Sequence, residues 1–467
     1  MRFTEEQERI FNTALDAGET IKIEAFAGTG KTTTLVEFAK RNPATNFLYV
    51  AFNKSVQEHA GKVFPPNVEC RTSHSLAYRY YVKNFKKKRI VSGFDYDVID
   101  RIYNINNNEI LHAVLITLKN FLHSDDRYIL KDHIENDDLT PQEEERVIEY
   151  AEEIWEDLFV SNSEITAITH DCYLKKYQLS EPDLSEKYDC IMLDEAQDTN
   201  PATADIILSQ SCKKIVVGDS HQSIYSFRGV VNILSEIDAD YTMYLTKSFR
   251  FPESIAQYAN LILFQFKNEN RKIEGLGKLT KKEPESTAYI TRTNLSLFDV
   301  AASLSEKGKS FVLDNAMLLF LADIEYVHAL YTHNFNRRIK SKYYKFKKFS
   351  KLVHYADEFD DYSLKAICNM VKKYSDDINL PEVIRKIRKH NNAASKIFLY
   401  TAHRAKGMEF DSVILENFFP QGNMATPKRH HNFHEEINII YVAITRAKYD
   451  VRLSEDIKLL IKNKDAA

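Results

Sequence analysis

Short apolar runs recur along this chain, each closed by a polar or glycine-containing turn, at residues 20–24, 47–51, 190–193, 214–217, 288–291, 396–400 and 412–415. Within them Val, Ile and Leu are continuous more often than alternating, the pattern of parallel strands covered on both faces. Helical spacing follows the first run, where Leu35, Val36, Phe38 and Ala39 fall within residues 34–40. The runs form two groups, one ending before about residue 250 and one starting after about residue 285. This predicts an α/β fold in two units. Longer, charged, helix-like stretches interrupt both: residues 80–165, which hold the only tryptophan, Trp155, and residues 332–390.

Composition narrows the class. The chain has 467 residues, 44% hydrophobic and 28% charged, ordinary values for a globular protein, and length alone suggests about three domains. No run approaches the roughly 18 apolar residues of a membrane span, and the charged, polar start does not resemble a secretory signal. Five scattered cysteines without a CxxC pair argue for a reducing cytoplasm and against a zinc module. The net charge of −4 means that any nucleic-acid contact must rest on local positive charge. Two basic runs exist, 83–89 and 337–351, the second interleaved with Tyr343, Tyr344, Phe346 and Phe349. Two readings stay open for them: a surface that neutralises phosphates and stacks bases, or a solvated basic face with its aromatics packed inward.

Candidate chemistry begins at residues 25–33, AFAGTGKTT. Strand, glycine loop and helix is the setting of a phosphate-binding loop. Gly28 and Gly30 let the backbone N–H groups of Ala27, Thr29 and their neighbours turn toward an anion at a helix N-terminus, Lys31 neutralises terminal phosphates, and the hydroxyl of Thr32, followed by Thr33, can ligate Mg²⁺. Only 12 glycines occur in the chain, so two of them two residues apart carry weight. Nucleotide binding and hydrolysis are expected.

A second constellation is CIMLDEAQD at 190–198. An apolar strand ending in adjacent carboxylates places Asp194 to share the Mg²⁺ with Thr32 and Glu195 to orient and deprotonate water. A third, VVGDSHQSIYSFRG at 216–229, again follows a strand.

DEAQD followed by GDSHQSIYSFRG resembles motifs II and III of superfamily 1 DNA helicases of the UvrD and Rep type. The other motifs follow in order across nearly the whole chain. FTEEQ at 3–7 resembles the adenine-reading Q motif, YVAFNK at 49–54 motif Ia, and TSHS at 72–75 motif Ib. SFR at 248–250 resembles motif IV, YTAHRAKGMEF at 400–410 motif V, and YVAITRA at 441–447 motif VI, which we expect to be a strand. The wording of AFAGTGKTTTL, FNKSVQ, SFRF and AHRAKGMEFD resembles the helicase region of F-box DNA helicases. Ala25, where the general loop pattern has glycine, agrees with that family.

The resemblance implies two RecA-like P-loop NTPase domains in tandem, each with a mainly helical insertion. We expect residues 1–79 and 166–249 to form the first domain (1A) and 80–165 its insertion (1B). Residues 250–331 and 391–467 form the second (2A), and 332–390 a short, reduced 2B. It implies ATP and Mg²⁺ as cofactors, hydrolysis in the cleft between the domains, Gln7 on adenine, Glu409 near the ribose and Gln222 at the γ-phosphate. Arg250 and Arg446 become arginine fingers, a device that contributes roughly 10³ to 10⁵ in rate. It assigns Phe52, Asn53, His74, Tyr225, Phe227, Arg228 and His403 to DNA. For Phe52 and Tyr225 a core role, and for Arg228 a simple ion pair, stay open.

The implied function is ATP-dependent translocation on single-stranded DNA and 3′ to 5′ unwinding, with single strands and ss/dsDNA junctions as partners. The alternative is a DNA-stimulated ATPase that senses or remodels nucleoprotein, with a protein partner in repair or defence. A monomer would contain both halves of the ATP cleft. The sequence departs from the family in its short second insertion and in HEEIN at 434–438 in place of more basic wording. Neither an F-box-like segment before the loop nor a nuclease-like extension is expected. His430, His431 and His434 lack a companion cysteine and are read as a solvated loop rather than a metal site.

Overall fold

The computed structural model describes residues 2–136, 138–226, 229–279, 283–334, 339–358, 361–375, 379–419 and 433–462. They divide into two units, Met1–Thr246 and Lys247–Ala467. The first contains strands β1 (Thr20–Ala25), β2 (Phe47–Ala51), β3 (Val68–Thr72), β4 (Arg89–Val91), β5 (Ala167–Thr169), β6 (Cys190–Leu193), β7 (Lys213–Gly218) and β8 (Tyr241–Leu245). Six of these make one sheet in the order β3-β2-β6-β7-β1-β8, with every pairing parallel.

Alternate residues of a strand point to opposite faces, and here both faces are dry. Phe47, Tyr49 and Ala51 of β2 enter one core with Ile21, Ile23, Leu35 and Phe38. Leu48 and Val50 enter another, shared with Val114, Leu118 and Phe121. This is why the strands read as unbroken apolar runs.

The segment 80–165 supplies helices Tyr96–Tyr103, Asn108–His123 and Pro141–Asp157. Asn107 caps the second through the N–H groups of Glu109 and Ile110. Thr140 and Glu143 form a reciprocal capping box on the third, with Pro141 at its first turn. Trp155 packs edge-on against Phe121 and Phe159. Within the basic run 83–89, Phe85 joins this cluster against Phe159, and Lys88 donates to the carbonyl of Asp157 at 3.0 Å. Fully buried Lys175 donates to the carbonyls of Ser124 and Asp126, and burial pushes its ammonium down to about 8.

The second unit contains the short pair β9 (Lys247–Ser248) and β10 (Glu274–Gly275). Its main strands are β11 (Thr287–Thr291), β12 (Val312–Leu313), β13 (Ile397–Thr401), β14 (Phe410–Leu415) and β15 (Ala447–Arg452). The last five form a parallel sheet in the order β12-β13-β11-β14-β15. Helices Phe349–Glu358, Tyr362–Tyr374 and Leu380–His390 share one core with Leu321, Ile324, Val327 and Leu399. In the basic run Tyr343 is buried, Phe346 packs on Tyr355 and Phe349 on Tyr331, while Tyr344 is 66% exposed. The inward-packed reading therefore holds for three of these four aromatics. Arg337 and Arg338 lie outside the described residues.

Two expectations are corrected: His434, read as part of a solvated loop, lies in the first turn of helix Phe433–Ile444, and the motif VI segment is not the strand expected. Of the segment 441–447, residues 441–444 end helix Phe433–Ile444, and only Ala447 belongs to a strand, as the first residue of β15. A fully buried helix and a fully buried strand both read as continuous apolar sequence, and Ile439 to Ile444 are all buried. Among the described residues no helix is long and apolar enough to cross a membrane. Both units are α/β layers on parallel sheets, the RecA-like architecture expected.

Candidate functional site

Three strand ends of the first sheet converge on one cluster. β1 runs into the glycine loop, where Gly28 and Gly30 adopt φ of 76° and 83°, values open to glycine at little steric cost. The loop is closed by Thr29 donating to the carbonyl of Phe26 at 2.8 Å. Helix Lys31–Arg41 starts directly after Gly30. Its free N–H groups and positive dipole end make this an anion-binding geometry. Ala27 and Thr29 are buried, Thr32 is half-buried and Thr33 exposed.

Lys31 donates from Nζ to Oε2 of Glu195 at 2.8 Å, a contact between positions 164 apart in sequence. Burial works against the charge of Lys31, but Glu195, Asp194 and Asp219 outweigh it and hold its pKa above the ordinary value. Asp194 is pushed the other way from a normal carboxylate. Burial and the neighbouring Glu195 raise its pKa, opposed by Lys31 and by a hydrogen bond from Tyr49. The Tyr49 hydroxyl, from β2, donates to Oδ2 of Asp194 at 2.6 Å. Glu195 sits at φ 52°, a left-handed conformation that costs a non-glycine residue of order 1–3 kcal/mol. Gln197 donates to Oε2 of Glu195 at 2.6 Å and accepts from the N–H of Asp219 at 3.0 Å. Gln222 in turn donates to Oδ2 of Asp219 at 2.7 Å.

Gln7 is buried and engaged at both ends of its amide. Its Oε1 accepts from the N–H of Thr4 and its Nε2 donates to Thr34 at 3.0 Å, fixing helix Glu5–Phe11 against the phosphate-loop helix. Phe52 is 42% exposed and lies near-parallel to Tyr225, ring centroids 6.2 Å apart at 11°. Neither ring is a fully buried core aromatic. Asn53 caps helix Lys54–Val63 by accepting from the N–H of Val56. His74 contacts Asp171 at 3.2 Å, and His123 reaches the same carboxylate at 3.5 Å. Phe227, Arg228, His430 and His431 lie outside the described residues.

In the second unit Arg250 donates to Glu409 at 2.8 Å and to the carbonyl of Thr445 at 3.0 Å, and Lys448 lies 3.6 Å from Glu409. Burial raises the pKa of Glu409, but these cations outweigh it and leave it below the ordinary value. Arg446 is buried and donates from Nε to the carbonyl of Val442 at 2.9 Å. The structure thus brings Arg250, Glu409 and Arg446 to one place. His403 lies on the short helix Ala402–Ala405, half-buried.

Sequence reading missed Tyr49, Gln197 and Asp171. Gln197 was legible as the amide inside DEAQD, and Tyr49 as the one hydroxyl in an otherwise apolar strand. Asp171 carried no signal.

Comparison with known proteins places the geometry. A family model for the UvrD/REP helicase N-terminal domain matches residues 3–242. F-box DNA helicase 1 of Gallus gallus is 35% identical over 99% of this chain and 50% of its own length. F-box DNA helicase protein 1 of Schizosaccharomyces pombe is 32% identical over 98% of this chain and 58% of its own. ATP-dependent DNA helicase PcrA of Staphylococcus aureus is 30% identical over 40% of this chain and 28% of its own. The chain spans about half the length of the F-box relatives that it matches. A phosphate loop, paired acids and a glutamine-bearing turn on one parallel sheet, with this family match, make the chain a member of the UvrD/REP helicase family.

Proposed function

We propose that this chain is an ATP-dependent translocase on single-stranded DNA and a DNA helicase of 3′ to 5′ polarity, acting on single strands and ss/dsDNA junctions. The observation that carries the reading is the Lys31–Glu195 bond, which joins the phosphate loop to the carboxylate pair of β6. Lys31 would exchange Glu195 for the terminal phosphates of ATP, releasing the carboxylate to accept a proton from water. Gln7 would read adenine, Glu409 approach the ribose, and Gln222, Arg250 and Arg446 respond to the γ-phosphate.

The donor set suits magnesium. Among the described residues no group of three or more His, Cys, Asp or Glu could hold a metal. Mg²⁺ is instead commonly held by one or two protein oxygens, water and substrate phosphates, and Thr32 and Asp194 offer such a pair. When bound, the ion neutralises charge developing on the phosphates. Phe52 and Tyr225 would present aromatic faces to bases, a sequence-tolerant contact. We assign the domain boundaries as residues 1–79 with 166–249, and 250–331 with 391–467, the remaining segments being insertions.

The test compares ATP turnover with and without single-stranded DNA, then unwinding of forks with a 3′ or a 5′ tail. Absent stimulation would sink the motor reading. Unwinding from the 5′ tail would reverse the polarity. Strong stimulation and protein displacement without unwinding would favour a nucleoprotein remodeller.

A further inference from the structure

Gln197 is fully buried and its orientation is unambiguous. The Asp219 N–H can only donate, so it must meet the carbonyl end of the amide, and the amino end then faces the Glu195 carboxylate. The fit is tight on the far side. A Cβ at Gly218 would fall 2.3 Å from Oε1 of Gln197 and 2.7 Å from Cδ1 of Leu234, so the glycine at the end of β7 is what admits the amide. Beyond it Asp219 holds the next turn, accepting from the His221 N–H at 3.1 Å and from Gln222 Nε2 at 2.7 Å. Three residues later Tyr225 lies against Phe52.

We infer that Gln197 is a positioning residue that ties the Glu195 carboxylate to the turn carrying Gln222 and Tyr225, so that strand binding at Tyr225 and the aim of Glu195 are set together. The inference rests on the functional reading above, in which Glu195 activates water. One amide does this because it has a donor and an acceptor at opposite ends. Leucine has neither. Glutamic acid has both only when protonated: its O–H can then donate to Glu195 while its carbonyl accepts from Asp219. Ionised, it loses the donor and sets a like charge beside Glu195 and beside Asp198, whose Oδ2 lies 3.4 Å from the same amide nitrogen.

The experiment measures kcat and KM for ATP, with and without oligothymidylate, for the intact chain and for Gln197→Leu and Gln197→Glu between about pH 6 and 8.5. Outer hydrogen-bond partners at reacting sites are typically worth roughly 10- to 100-fold. We expect Gln197→Leu to lose that much of the DNA-stimulated kcat with KM for ATP within about threefold of the parent. The deficit of Gln197→Glu in kcat should narrow as pH falls while KM for ATP and the thermal midpoint, followed over the same range, stay parallel to the parent's; a purely structural role would move all three together. Wild-type stimulated kcat in Gln197→Leu, or a pH-independent ratio for Gln197→Glu, overturns the inference. If the leucine variant does not fold, the glutamate pH series decides. Glu195→Gln turning over at the parent rate would instead overturn the functional reading, leaving Gln197 nothing to aim.

Discussion

The hydroxyl of Tyr49 donates a 2.6 Å hydrogen bond to Oδ2 of Asp194 across the β2–β6 pairing. Burial drives the phenol's own pKa far up, and the negative charge of Asp194 adds to it, so the tyrosine is a fixed donor. Its bond is one of the influences that hold the Asp194 pKa down against burial. Removing it in Tyr49→Phe therefore raises that pKa further and makes Asp194 a poorer magnesium ligand. We expect the Mg²⁺ concentration for half-maximal turnover to rise several-fold, and to rise more as pH is lowered. A hydrogen bond to a charged group is also worth about 1.5–3 kcal/mol, readable by denaturant unfolding. An unchanged Mg²⁺ requirement would remove Asp194 from the metal site.

Lys31→Ala and Glu195→Gln test the pair at the loop. General acid–base residues contribute about 10² to 10⁴ in rate, so turnover should fall by at least about 10²-fold in Glu195→Gln, and Lys31→Ala, which removes the cation facing the terminal phosphates, should also lose turnover. Binding of single-stranded DNA should be largely kept. Loss of folding in both variants would point to a structural ion pair instead.

Phe52→Ala and Tyr225→Ala test the exposed aromatic pair. Each should weaken single-strand binding by roughly 1–3 kcal/mol, measured by fluorescence anisotropy. Because the rings face one another, the double variant should cost less than the sum. Wild-type affinity in both would return these residues to a packing role.

Glu69, on β3, gathers Arg71 at 2.7 Å, Arg79 at 3.5 Å, Lys187 and the Tyr188 hydroxyl. Burial opposes its charge, but the hydrogen bonds from Lys187, Tyr188 and Arg71 overcome it and lower its pKa from 4.5 to about 2. A depressed carboxylate stabilises the fold above its unfolded pKa and loses that contribution as pH falls through the folded one. The thermal midpoint of Glu69→Gln should therefore lie below that of the parent at neutral pH. The gap should close between about pH 4.5 and 2. A gap that stays constant through that window would exclude the ionised network as its source.

Which strands the sequence revealed follows from their place in the sheets. β1, β2, β6 and β7, and likewise β11, β13 and β14, are flanked on both sides, and these are the runs that apolar continuity disclosed. β3, β8, β12 and β15 are the edges and were not anticipated. VECRT and YTMYL show why: four of the five residues in β3 are only half-buried, and in β8 only Leu245 is buried. Edge strands bury less and so need less apolar sequence. The site divides similarly. Lys31, Glu195, Gln222 and Arg446 were assigned from the wording of their motifs, whereas the partners of Tyr49, itself within a motif, and of Asp171 lie 145 and 97 residues away in sequence. Such pairings exist only once the sheet has formed.

The strand order has a consequence for the chain as it is made. β1 is synthesised first, yet its two partners in the sheet are β7 and β8, which follow it by nearly two hundred residues or more. At roughly 5–20 residues per second, Ile21 and Ile23, both fully buried in the finished sheet, wait on the order of ten seconds or longer for their neighbours. A nascent chain halted before residue 213 would carry an intact glycine loop on an unpaired apolar strand, exposed to chaperones and to other nascent chains alike.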